Sequence, residues 1–155
     1  MNYEIDPATS DDTEAILALL PRLAEFNVPA DRNPEDLWRG DAEMVSDWAA
    51  GNRPDVEALV ARTNKELIGV AIISFRKELL SSEPSAHLEV LALQKSAEGH
   101  GIAQALVQGA ERLAVDNGAK SMSLHVFANN LKARALYERL DFEGELIRYF
   151  KLLDN

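Results

Sequence analysis

Two glycines flanking a single residue at the mouth of an apolar helix constrain this chain more than any other feature. The run Glu98-Gly99-His100-Gly101-Ile102-Ala103 leads into Gln104-Ala105-Leu106-Val107-Gln108. A small-residue turn at a helix start aims several unpaired backbone N–H groups, and the positive end of the helix dipole, at one point in space. Such a point favours a phosphate or pyrophosphate. The run is not a dinucleotide fingerprint, because Gln104 stands where a third glycine is needed. It is not a P-loop either, because no Gly-Lys-Ser/Thr follows. Taken alone, the two glycines also serve a turn that binds nothing.

The flanks narrow the reading. His87-Leu88-Glu89-Val90-Leu91-Ala92-Leu93 reads as a buried strand before the turn. Ser121-Met122-Ser123-Leu124-His125-Val126 reads as a second strand, followed by Asn129-Asn130 and a helix through Ala133, Tyr137 and Leu140. This order resembles the GNAT superfamily of acyl-CoA-dependent N-acetyltransferases. That family's cofactor turn, Gln/Arg-x-x-Gly-x-Gly/Ala, is matched by Glu98, Gly101 and Ala103 apart from its first residue. Its later pattern, Asn-x-x-Ala-x-x-x-Tyr-x-x-x-Gly-Phe, is matched by Asn130, Ala133, Tyr137 and Asp141-Phe142, with only the glycine replaced. The resemblance is strongest over residues 86–150 and rests on element order before that.

The resemblance implies acetyl-CoA as cosubstrate and an amine as acceptor, with direct attack in a ternary complex. It implies that Glu98, Gly99, His100, Gly101, Ile102 and Ala103 surround the pyrophosphate. Asn130 and Ala133 would lie along the pantetheine chain, and backbone N–H groups at Leu91, Ala92 and Leu93 would hold the thioester carbonyl. Tyr137 would donate to the departing sulfur. A general base often projects from the strand before the turn, and both Glu89 and His87 qualify, being two apart and so on one face. An ordered water is the third alternative. A base matters because an alkylammonium with a pKa of about 10.4 is neutral only about one part in a thousand near pH 7.

Composition agrees with one globular domain spanning 1–155. The 155 residues are 46% hydrophobic and 27% charged, ordinary values for a core-forming chain. The absence of cysteine excludes thiol catalysis, disulfides and Cys-based zinc sites. Three histidines, His87, His100 and His125, lack ligand spacing, so no metal is expected. The acidic N-terminus lacks the apolar stretch of a signal peptide, and no run reaches membrane-spanning length, so a cytoplasmic location is expected. The net charge of −10 sits in the first half: residues 1–60 hold 14 acidic and 4 basic side chains, and the rest hold 12 of each. That balance disfavours nucleic acid and anionic membranes as partners and allows a cationic acceptor such as a polyamine or aminoglycoside. Phe26, Trp38 and Trp48 are candidate lining for an apolar acceptor pocket instead.

Along the chain, Tyr3–Ile5 is a first strand. A helix follows with Asp11 and Glu14 as a capping-box pair and Ile16, Leu19, Leu20, Leu23 and Phe26 as its apolar stripe. A second helix is expected from Pro34 to about Ala50, interrupted at Gly40. Strands at 58–61 and 67–75 form a hairpin around Asn64-Lys65, and a last strand runs through Leu146, Tyr149 and Leu152. The expected fold is α/β, a mixed central sheet with helices on both faces in the order β-α-α-β-β-β-α-β-α-β. Two departures from the family pattern need an answer. Glu98 puts a carboxylate beside the expected pyrophosphate and is expected to turn to solvent, with Lys95, His100, Lys132 and Arg134 available to offset the phosphate charge. Asp141 replaces a glycine and is expected to take the left-handed conformation.

The leading functional expectation is thus an N-acetyltransferase of a small cationic amine, and dimers being common among small relatives makes a homodimer an expectation as well. A protein N-terminal or lysine acetyltransferase is the alternative within the enzymes. A non-catalytic acyl-CoA sensor, or a plain interaction domain whose turn holds nothing, are the alternatives outside them.

Overall fold

A computed structural model describes residues 1–154. Five strands form one sheet in sequence order: β1 (Glu4–Pro7), β2 (Val56–Thr63), β3 (Glu66–Lys77), β4 (Pro84–Leu93) and β5 (Ser121–Leu124). The first three pairings are antiparallel, and β4 and β5 run parallel. The parallel pair is forced by its connection, since the helix α3 (Ile102–Asp116) carries the chain back across the sheet before β5 begins. The β2–β3 hairpin turns at Asn64 and Lys65, both at positive φ, which two-residue hairpin turns require.

Alternation along the strands divides the core in two. Val56, Ala58, Val60, Val70, Ile72, Val90 and Ala92 face α1 (Thr13–Leu19) and α2 (Arg39–Ala49), where Ile16, Leu19, Leu20, Met44 and Val45 meet them. Leu59, Ala61, Ile68, Ala71, Ile73, Ala86 and Leu88 face α3, through Ile102, Leu106, Val107, Ala110 and Ala114. The last helix, α4 (Leu131–Arg139), lies beside β5 and has no fully buried residue. The mixed sheet with helices on both faces is therefore as the sequence predicts.

Several boundaries differ, each for a local reason. The first helix stops at Leu19 and continues as a 3₁₀ turn, Leu20–Ala24, because Pro21 removes an N–H donor and crowds the preceding turn. Phe26 leaves the stripe and lies 5.5 Å from Phe127, centroid to centroid. The N-terminal box is Thr9 with Asp12 rather than Asp11 with Glu14: Asp12 accepts from the Thr9 N–H at 2.9 Å and from Arg62 at 2.6 Å. The second helix breaks at Trp38 (φ −134°), not at Gly40, leaving a 3₁₀ turn at Pro34–Leu37 ahead of α2. The fourth strand begins at Pro84, and the fifth stops at Leu124, so His125 and Val126 lie outside it.

The expected last strand is absent. Residues 143–154 carry no regular structure, and Ile147 and Tyr149 are 81% and 89% exposed. A strand exists only through its ladder, and this segment meets no strand edge. Phe150 instead sits beneath the Arg32 guanidinium, 3.5 Å from ring centroid to carbon, a cation–π contact. No helix among the described residues is long and apolar enough to cross a membrane.

Burial separates the apolar residues that hold the fold from those that do not. Leu106→Ala, in the α3-side core, should lower stability by about 2–5 kcal/mol, whereas Leu131→Ala at an exposed position should stay within about 0.5 kcal/mol of wild type. Urea denaturation of both variants checks this contrast.

Candidate active site

Strand β4 changes its parity halfway. Ala86 and Leu88 face α3, yet Val90 and Ala92, of the same parity, face α1 and α2. The cause is a bulge: Ile72 pairs with Val90 and Ile73 with Leu88, leaving Glu89 as the extra residue. The pairing of β4 with β5 ends at the same place, the last register pair being Leu88 with Leu124. From Glu89 to Leu93 the β5 side of β4 is unpaired, and the place where the two strands part is called the cleft below. Leu91, Leu93, Leu124 and Tyr137 all pack along the α3-side core at this cleft.

The turn stands at the end of β4. Gly99 and Gly101 have φ of +79° and +76°, and a Cβ at either would meet nothing within 4 Å. The glycines are thus needed for backbone conformation, and the space before them is open. The first bond of α3 runs from the Ala105 N–H to the Gly101 carbonyl, and no side chain caps the helix. The N–H groups of Ile102, Ala103 and Gln104 therefore have no intrahelical acceptor. This donor set fits an anion.

Glu98 is exposed, as expected, and is also ion-paired. Its Oε1 accepts from Arg22 Nη2 at 2.6 Å and its Oε2 from Lys132 Nζ at 2.8 Å. Lys132 first and Arg22 with it hold its carboxyl below the usual range. Arg22 also donates to the Leu93 carbonyl at 2.9 Å and pairs with Glu25. Of the four cations offered by the sequence, only Lys132 reaches Glu98. Arg22 was not legible there, lying 76 residues from its partner.

On the α1/α2 side of the bulge the sheet face turns polar. Glu89 Oε1 accepts from Ser74 Oγ at 2.7 Å and from Arg76 Nη2 at 2.8 Å, while Oε2 has no hydrogen-bond partner among the described residues. His87, paired across the strands with Ser74, is 5% exposed. Its Nδ1 lies 2.8 Å from Ser123 Oγ, and its ring centroid 4.7 Å from that of His125. Burial, then the Arg76 guanidinium, pushes the imidazole down to about 4, so it is neutral at pH 7. Asp41 of α2 is pushed up to about 7, by burial first and by the Glu89 charge second. Arg76 lies within β3, which runs past the expected end at Phe75 to Lys77. Nothing in the sequence marks Asp41 or Ser123. No group of three or more His, Cys, Asp or Glu is placed to hold a metal among the described residues.

Asn130 caps α4, its Oδ1 accepting from the Ala133 N–H at 3.4 Å. Tyr137 lies on the same helix face two turns on, half-buried, with its hydroxyl unpartnered among the described residues. Burial pushes the phenol up to about 12. The helix ends as the sequence predicts: Asp141 has φ +68°, its N–H reaches the Glu138 carbonyl and the Phe142 N–H reaches the Tyr137 carbonyl. This is a Schellman closure, and it sets Phe142 edge-on to the Tyr137 ring at 5.9 Å. His100 is exposed on the turn.

The bulged strand β4 thus parts from β5 beside the glycine turn. Residues 18–142 match the acetyltransferase (GNAT) family, and the chain belongs to it. None of the curated proteins matches the chain. Among solved structures, a protein of Pyrococcus furiosus assigned as an acetyl transferase superposes with a TM-score of 0.79 at 22% identity, covering 98% of this chain and 100% of that one. A ribosomal-protein-alanine N-acetyltransferase from Brucella melitensis gives 0.72 at 19%, over 98% and 100%. The aminoglycoside N-acetyltransferase AAC(6′)-Iy, in complex with CoA, gives 0.73 at 20%, over 97% and 95%. At these identities the likeness is one of fold.

His87 and Asp41 impose opposite pH dependences. The His87 pKa is lower folded than unfolded, so the unfolded chain binds the extra proton and stability falls as pH drops from about 6.5 towards 4. The Asp41 pKa is higher folded, so stability rises as pH drops from about 7 towards 3.8. Each contributes up to about 1.4 kcal/mol per pH unit in its window. Relative to wild type, His87→Gln should gain stability and Asp41→Asn should lose it between pH 7 and pH 5. Urea midpoints at both pH values test this, and parallel profiles for all three proteins would contradict it.

Proposed function

We propose that the protein transfers an acetyl group from acetyl-CoA to the primary amine of a small cationic molecule, by direct attack within a ternary complex. The observation that carries this reading is the cleft at the β4 bulge. The open donor turn lies at its end, the partnerless Tyr137 hydroxyl lies along it, and Glu89 projects on the opposite face of the sheet. The pyrophosphate would lie on the N–H groups from Gly99 to Gln104, and the pantetheine chain would pass between β4 and β5, by Asn130 and Ala133. Backbone N–H groups at Leu91 to Leu93 are the candidates to hold the thioester oxygen as charge develops on it.

Chemistry then needs two proton movements. The acceptor ammonium must lose a proton before its nitrogen can attack the carbonyl carbon, and the C–S bond breaks with a thiolate leaving. Glu89 is the preferred base, directly or through a water, because its Oε2 is free while Ser74 and Arg76 fix the other oxygen. His87 is the weaker candidate: its folded pKa of about 4 and its contact with Ser123 leave little basicity. Tyr137, protonated at any physiological pH, donates its hydrogen to the sulfur. With a phenol pKa of about 12 against about 8.5 for a simple thiol, full transfer is uphill, so a hydrogen bond to the developing thiolate is the main contribution.

A small acceptor is favoured over a peptide by the loop after the 3₁₀ turn. Asn129 Nδ2 donates to the Asn27 carbonyl at 2.6 Å and the tilted rings of Phe26 and Phe127 lie 5.5 Å apart, so the segment after the 3₁₀ turn is tied to the loop after β5. Asp41 and Glu89 supply negative charge on the acceptor side. A cation binding there would draw Asp41 towards its ionised form.

Tyr137→Phe should lower kcat about 100-fold with little change in KM for acetyl-CoA, read as thiol release. Across an amine panel, kcat/KM should rise from monoamines to polyamines and the rise should flatten with added salt. Rates indifferent to charge and salt would remove the electrostatic part of the proposal.

A further inference from the structure

Glu98 is the one position of the cofactor turn that departs from the family pattern, and the structure gives it two cations. These are held very differently. Arg22 is 20% exposed and fixed by three acceptors, the Leu93 carbonyl, Glu25 and Glu98. Lys132 is 80% exposed and held by a single bond, to Glu98 Oε2. It projects from the first turn of α4, across the cleft from the donor turn, on a flexible four-carbon stem.

We infer that Lys132 is a movable phosphate ligand and that Glu98 is its resident counter-ion, released when the pyrophosphate arrives. The inference rests on the acetyl-CoA reading above and adds an exchange to it. In the free protein the carboxylate occupies the ammonium and ties the turn to α4. An incoming pyrophosphate on the neighbouring N–H groups offers the same ammonium an acceptor of higher charge, a few ångströms from its present one. Arg22 stays on Glu98 and Leu93, so the carboxylate keeps one partner and the end of β4 keeps its shape. Binding is thereby weaker than the same turn would give with a neutral residue at position 98, because a surface ion pair must open first. Exposed pairs of this kind are modest, which sets the size of the effect at about threefold in Kd.

The test is a double-mutant cycle read by calorimetry, with CoA, dephospho-CoA and pantetheine as probes and thermal midpoints as the folding control. Glu98→Gln should tighten CoA about threefold, and Lys132→Met should weaken it by at least as much. In the Lys132→Met background the gain from Glu98→Gln should largely vanish, because no ammonium remains to be released. Dephospho-CoA should follow CoA, since the pyrophosphate is the group concerned, and pantetheine should be indifferent to every substitution. If Glu98→Gln weakens CoA and pantetheine together, Glu98 is a structural clasp and the exchange is wrong. If the lysine effect disappears with dephospho-CoA, Lys132 serves the 3′-phosphate and the assignment fails. Unchanged CoA affinity in both single variants overturns the exchange while leaving the cofactor reading intact. Failure of wild type and variants alike to bind CoA at millimolar concentration overturns that reading itself.

Discussion

One extra residue in β4 decides where everything else stands. Without Glu89 as a bulge, β4 would keep one parity throughout, and Val90 and Ala92 would point at α3 instead of α1 and α2. The bulge lets the first half of the strand pair with β5 and the second half leave it. It also places an unbonded carboxylate oxygen, Glu89 Oε2, where the strands part. A bulge twists and bends its strand, so the parting of the strands and the position of Glu89 have the same origin.

The electrostatics of the site follow from which groups are buried beside it. Burial penalises charge of either sign, raising an acid and lowering a base. Asp41 and His87 are affected in these opposite ways, so near neutral pH one is only partly ionised and the other uncharged. The fixed charges left on that face are Glu89 and the arginine that donates to it. The acidic excess of the first sixty residues had been a diffuse property of the sequence; α2 gives part of it an address.

What was legible in the sequence was what depends on neighbours in the chain. The Gly99–Gly101 turn, the left-handed Asp141 and the Asn64-Lys65 hairpin are local conformations, written in residue type and spacing. The spacing of Ala133 and Tyr137 was equally local. What was not legible depends on distant partners. Arg22 meets Glu98 across 76 residues and Arg62 meets Asp12 across 50, and no periodicity encodes either pair. The bulge is invisible because an apolar strand buried on both faces carries no alternation to interrupt. Leu146, Tyr149 and Leu152 misled for the converse reason: their apolar pattern suits a strand, but a strand also needs an edge to join.

Two carboxylates stand in this chain where the family pattern has none, and they are accommodated by different physics. Asp141 needs only a backbone conformation. Its cost is local, and the closure it makes still delivers Phe142 to the edge of Tyr137. Glu98 needs charge, and it finds it in the 3₁₀ turn after α1 on one side and in α4 on the other. A substitution absorbed by its own backbone leaves the rest of the protein as it was. One absorbed by ion pairs joins three elements around the cleft and makes an anion entering that cleft a competitor for one of them. The second kind alone ties elements far apart in the chain to one another at the turn.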